Sequence, residues 1–154
     1  MSGNVVNLDK LAAQHAEKTI QRTKAKNKRD PLSSQQKPAD VDNSVTKAFG
    51  VLQENGVYAC ALYLLSRTQE TEQDIARVVT DEMLTLLSSL GFAGWEKPYI
   101  DWDDSPSEAV LSYLSEHVTG GDLERLLLAK ETLEQMLVYA RYGAQARKAE
   151  EKNS

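Results

Sequence analysis

Lys18, Arg22, Lys26 and Arg29 recur at intervals of four, four and three, the spacing with which a helix lines up cations against a polyanion. At 100° per residue their side chains project within about 80° of one another, along a ridge roughly 16 Å long. Successive phosphates of an extended strand can be followed by such a ridge. Lys10, Lys24 and Lys28 make a neighbouring row, Lys47 stands farther along, and Arg141, Arg147 and Lys148 add positive charge near the other end. The same pattern also describes an ordinary solvated face that ends in a frayed, lysine-rich terminus, and the residues by themselves leave both readings open.

Other chemistries fail on spacing. His15 and His117 fall in separate helical stretches with neither a metalloprotease pair nor a Cys-His nucleophile pattern, and both are expected at the surface or at helix ends. Asp101, Asp103 and Asp104 suggest a hard cation, but a calcium loop begun at Asp101 puts Pro106 where glycine is needed and Ser112 where a bidentate glutamate is needed. These aspartates read as favourable charge before a helix N-terminus. Gly91 and Gly94 are too sparse to cradle a phosphate. No catalytic residue, metal or cofactor is expected. Phe92, Trp95, Tyr99 and Trp102 share one loop: folded back, they cover the core; exposed, Trp95, Tyr99 and Trp102 form a docking site for a neighbouring protein.

A net charge of −5 argues against coating nucleic acid by bulk charge, yet the charge is unevenly spread. Residues 1–50 hold nine Lys/Arg against five Asp/Glu, a balance of +4, and the remainder carries −9. An RNA-facing surface should therefore draw on the first helix. Cys60 is alone within an apolar helical repeat, so it reads as a small buried hydrophobe in a reducing, cytoplasmic setting. No apolar run approaches the ~20 residues of a membrane span.

The elements that must position these residues are helices. Val45, Ala48, Phe49 and Leu52 fall at i, i+3, i+4 and i+7, and Val57, Cys60, Ala61 and Leu64 repeat that spacing after Asn55-Gly56. Two short helices meet there, because glycine takes positive φ without a Cβ penalty. A first helix runs from about Asn7 to Lys26, with Asn7 as N-cap and Ala12, Ala16, Ile20 and Thr23 inward. Residues 27–43, rich in Ser, Gln and Pro, read as a polar linker. Thr71 and Asp74 suggest a capping box for a fourth helix carrying Ile75, Val79, Met83, Leu86 and Leu90; Ser105, Pro106 and Glu108 announce a fifth with Leu111, Leu114 and Val118 inward. Asp122 opens the last and longest, to about Lys148, with Leu126, Ala129, Leu133, Met136, Leu137 and Ala140 inward; residues 149–154 are expected to be a disordered tail. The expectation is one all-α domain over residues 1–154, a compact bundle of about six helices with a long polar loop after the first.

The stretch from Val45 to Arg67 resembles the most recognisable part of the small all-helical subunit of type III-B (Cmr) CRISPR effector complexes. There a lysine begins a short apolar helix, an Asn-Gly breaks it, and an alanine- and leucine-rich helix follows; Lys47, Asn55, Gly56, Ala61 and Leu64 are the matched positions. Leu123 to Arg147 is similar to the long closing helix of that family. The resemblance implies a non-enzymatic subunit that stacks in several copies along guide RNA and target RNA while resting on the repeated backbone subunits. It implies RNA-contacting roles for Lys18, Arg22, Lys26 and Lys47, and for Arg141 and Arg147. The alternative is a helical protein-protein adaptor without RNA, binding through the aromatic loop.

Overall fold

In a computed structural model, which describes residues 6–153, the Asn7 side chain accepts the Lys10 amide at 2.9 Å and so caps α1 (Leu8–Lys24). An N-cap oxygen satisfies an amide that has no partner within its helix. α2 (Pro38–Asn55), α3 (Val57–Leu65), α4 (Glu70–Ser89) and α5 (Pro106–Tyr113) follow; α5 continues into a π-helical turn at Leu114–Val118, and α6 (Leu123–Lys152) closes the chain. Among the described residues the only extended pairing is an isolated bridge between Asn27 and Asp30, and the architecture is an all-α bundle of six helices.

The apolar stripes of the sequence become the core. Val45, Ala48 and Leu52 are buried on α2; Val57, Cys60, Ala61 and Leu64 are buried on α3, with Gly56 alone between the helices at φ 95°. The Cys60 thiol donates to the Ala48 carbonyl across that turn at 3.5 Å, and burial pushes its pKa up to about 12. α6 lies along α1 and α2 with Leu133, Met136 and Leu137 fully buried. At the end of the π turn the Thr119 amide reaches the Leu114 carbonyl at 2.7 Å, and a Cβ on Gly120 would lie 2.1 Å from the Ser115 carbonyl oxygen, so only glycine fits.

Several boundaries differ from the sequence reading. Residues 27–43 are not one linker. α2 starts at Pro38, whose fixed φ suits the first helical position, and residues 33–36 are stitched to α1 by Ser34 N–H to the Arg22 carbonyl (3.0 Å) and Gln36 N–H to the Thr23 carbonyl (2.8 Å). Nor do residues 149–152 form a disordered tail: α6 runs to Lys152, with Arg147 and Glu151 paired at i, i+4; Ser154 lies outside the described residues. Gln69 rather than Thr71 caps α4, by accepting the Glu72 amide at 2.8 Å. Ser105 sits in the left-handed region (φ 52°, ψ 52°), and its hydroxyl turns to Asp104 instead of capping α5.

α4 runs through the middle of the bundle and meets α1, α2, α3 and α6. A helix packed against four neighbours buries polar positions along with its apolar stripe, and here Thr80, Asp81 and Glu82 are all buried. Buried carboxylates require partners. His15, expected at the surface, is instead 4% exposed with Nδ1 2.8 Å from Glu82 Oε1. Arg22 donates from one nitrogen to both Asp81 (2.8 Å) and Glu82 (2.6 Å), and grips Asp30 with its other two (2.7 and 3.0 Å). Lys97 completes the cluster at 2.5 Å from Asp81. Burial lowers the Arg22 pKa, but its three carboxylates outweigh that and the net direction is upward; the same guanidinium holds Asp30 below the usual carboxylate range.

Candidate nucleic-acid interface

The cationic ridge foreseen on the first helix does not form. Ala25 is extended, so helical projection ends before Lys26, and Arg29 belongs to the turn after α1. Arg22 points inward to its carboxylates, with 17% of its side chain exposed, and is corrected here from an RNA contact to a structural counterion. Of the ridge within α1, Lys18 alone stands exposed.

The remaining cations divide in the same way. Arg147 donates to the Gln36 carbonyl at 2.8 Å with 10% of its side chain exposed; it fastens α6 to the segment before α2, and its nitrogens are turned away from any external strand. Arg141 is exposed and lies 3.8 Å from Asp42, a partner that partly neutralises it. Lys26 and Lys47 are exposed and have no ion-pair partner among the described residues.

The aromatic loop also separates into parts. Trp95 is 3% exposed, packed edge-to-face on Phe92 at 4.9 Å, and its carbonyl accepts the Tyr113 hydroxyl at 2.6 Å, so it is core and unavailable to a docking partner. Burial, followed by the charge of Glu96, pushes the Tyr113 pKa up to about 12. Tyr99 is 85% exposed. Trp102 is intermediate: part of its ring packs on the core and part lines a surface cleft.

What the fold does bring together lies along the outer side of α4. Lys47 and Arg67 line a narrow hollow with Tyr63 and Glu72. That hollow shares Leu64 and Ala76 with a cleft of about 170 Å³ bounded by Gln73, Arg77 and Trp102. Arg77 in turn forms the wall of a third hollow, about 140 Å³, which contains Lys26 and Asp74. Four cations, Lys47, Arg67, Arg77 and Lys26, thus border three adjoining depressions against two acids, Glu72 and Asp74. Arg67 stacks on Tyr63 at 4.1 Å and lies 3.8 Å from Glu72.

Sequence reasoning found Lys26 and Lys47 but not the two arginines. Arg77 sits four residues after Gln73 and between the buried pairs Ile75-Ala76 and Val78-Val79, a spacing that marks the outer side of α4. Acidic neighbours masked it in any sum of charge. Among the described residues no three His, Cys, Asp or Glu side chains converge as a metal site requires, and no helix is long and apolar enough to cross a membrane. No protein-family model, curated protein or solved structure matches this chain.

Proposed function

We propose that this chain is a non-catalytic small subunit of a cytoplasmic type III CRISPR RNA-guided complex, stacking in copies along guide and target RNA and resting on the backbone subunits. The observation that carries the RNA-binding part is the row of hollows bordered by Lys47, Arg67, Arg77 and Lys26. Cations arranged along a surface groove engage phosphates, and phosphate contacts fix position without reading sequence, which suits a subunit that must accept any guide. The two stretches that carry the family resemblance, 45–67 and 123–147, support the assignment further, since they lie on α2, α3 and α6 and the α2–α6 pairing is among the most extensive in the bundle.

The adaptor reading has its own observations. Tyr99 is 85% exposed, and Leu123 and Leu127, one turn apart on α6, are 67% and 56% exposed. These residues form the natural resting surface for a protein neighbour under either reading. The two readings part on RNA.

The test uses the full chain expressed with its neighbouring effector subunits, scored for co-purification with a short RNA of defined length. Charge reversal at Lys18, Lys26 and Lys47, all exposed and unpaired, should then weaken RNA binding and lower its log–log salt slope by roughly 0.7 for each phosphate contact removed. An unchanged slope together with retained protein partners would sink RNA binding in favour of the adaptor.

A further inference from the structure

Arg77 is a partly exposed arginine on α4 with no protein partner among the described residues. Among the described residues, the other partly buried arginines are all engaged: Arg22 by carboxylates, Arg67 by the Tyr63 carbonyl and ring, Arg147 by the Gln36 carbonyl. Arg77 has no hydrogen bond, ion pair or ring contact among the described residues, in a chain with 23 acids against 18 Lys and Arg. Its planar fork of donors is therefore open to the paired oxygens of an anion.

Its surroundings say what that anion is. Across the same cleft lies Trp102, whose indole N–H also donates to no group of the protein. Leu64, Leu65 and Ala76 supply an apolar floor. Gln73 gives its amide N–H to the Arg67 carbonyl at 3.3 Å, and Thr80 gives its hydroxyl hydrogen to the Ala76 carbonyl at 2.7 Å; both side-chain oxygens keep acceptor capacity. The cleft thus combines an indole, an apolar floor, hydrogen-bonding groups and a fork of donors without a partner among the described residues.

We propose that this cleft binds one unpaired nucleotide of RNA, its base stacked on Trp102 and its phosphate held by Arg77. The proposal rests on the RNA-binding reading above and names the subsite within it. At about 170 Å³ the cleft is a small, solvent-open depression on the scale of a single ring system. Stacking on an aromatic plate tolerates any base, and a guanidinium matches phosphate oxygens in pairs. An acidic peptide would satisfy Arg77 and leave the indole uncovered. Asp101, Asp103 and Asp104 flank Trp102 and are exposed, so phosphate is unwelcome at that end. The anion belongs at the Arg77 end, where Lys26 and a single acid, Asp74, line the adjoining hollow.

The experiment follows the intrinsic fluorescence of the full chain during titration with adenosine monophosphate, adenosine, inorganic phosphate and a short oligoadenylate. Only Trp102 should respond, because Trp95 is buried: nucleotide quenches the wild type, and Trp102→Phe abolishes the response. By calorimetry, Trp102→Ala should weaken nucleotide binding about 5- to 150-fold, the range of one lost base stack. Arg77→Gln should remove the preference for adenosine monophosphate over adenosine while leaving adenosine binding unchanged, a split that a merely structural role would not produce. No quenching by mononucleotide or oligoadenylate, equal phosphate preference in Arg77→Gln, or tighter binding of an acidic peptide than of nucleotide would each overturn the subsite. Loss of long-RNA binding on reversal of Lys18 and Lys47, with the cleft inert, would overturn the subsite alone; nucleotide quenching in a chain that binds no longer RNA would overturn the wider reading and leave the cleft standing.

Discussion

Arg22 and Arg77 both belong to the surroundings of α4 and meet opposite fates. Arg22 reaches it from α1 and is saturated by Asp81 and Glu82 from α4 and by Asp30 from the following turn. Arg77 projects from the outer side of the same helix, at the edge of a cleft, and is bound by nothing in the protein. One cation completes the fold and the other is left for a ligand. The distinction between occupied and unoccupied charge is the guide to function that the bundle offers.

The largest expected effect comes from breaking the occupied one. Arg22→Ala leaves Asp81 and Glu82 buried without their shared counterion, with only His15 and Lys97 beside them, and should cost about 3–5 kcal/mol of unfolding free energy. Urea unfolding measures it, and a loss no larger than that of an exposed lysine would erase the contrast between the two arginines. Arg22→Lys should recover only part, since a point charge cannot bridge three carboxylates in the guanidinium's fork geometry.

This contrast explains which parts of the molecule were legible in its sequence. The stripes Val45 to Leu52, Val57 to Leu64 and Ile75 to Leu90 were legible because each buries a face of a helix against neighbours, and periodicity reports that directly. Asn7 and Asp122 were legible as caps because capping is local. Arg22 and His15 were not. Their inward orientation depends on Asp81 and Glu82, some sixty residues away, and on α4 being surrounded by four helices, which only the assembled bundle decides. Two acids inside the run VVTDEMLTLL were the available signal: a carboxylate in an apolar helix requires a cation from elsewhere. Pro38 was a second overlooked signal, since proline at a first helical position starts a helix as readily as it punctuates a linker. The aromatic loop misled for a different reason: ring type fixes neither burial nor exposure, and Trp95, Tyr99 and Trp102, within eight residues, span 3% exposed, 85% exposed and intermediate.

A middle-sized effect sharpens the occupied side through pH. Arg22 depresses the Asp30 pKa in the folded chain, so the folded state binds that proton less readily than the unfolded one. The contribution is therefore complete above the unfolded value near pH 4 and is lost as pH falls through the depressed folded value. Asp30→Asn should lower the urea midpoint at neutral pH, by the equivalent of about 1–3 kcal/mol for a hydrogen-bonded charge pair, and should flatten the acid limb of the stability profile. An acid limb of unchanged steepness in the variant would mean that Asp30 is not what Arg22 holds in solution.

The smallest change in stability belongs to the unoccupied side. Arg77→Gln removes no ion pair and no hydrogen bond, so it should shift stability by no more than about 0.5 kcal/mol, the range of substitutions away from special features. With no partner lost among the described residues, the change should stay near zero, in contrast to the large loss expected of Arg22→Ala. Addition of adenosine monophosphate should then separate the two proteins: a ligand that binds only the folded state stabilises the wild type with the logarithm of ligand concentration over Kd, and Arg77→Gln should gain less. Chemical unfolding of both proteins with and without nucleotide checks this. Equal gains, or an Arg77→Gln protein as unstable as Arg22→Ala, would place Arg77 among the groups that hold the bundle together.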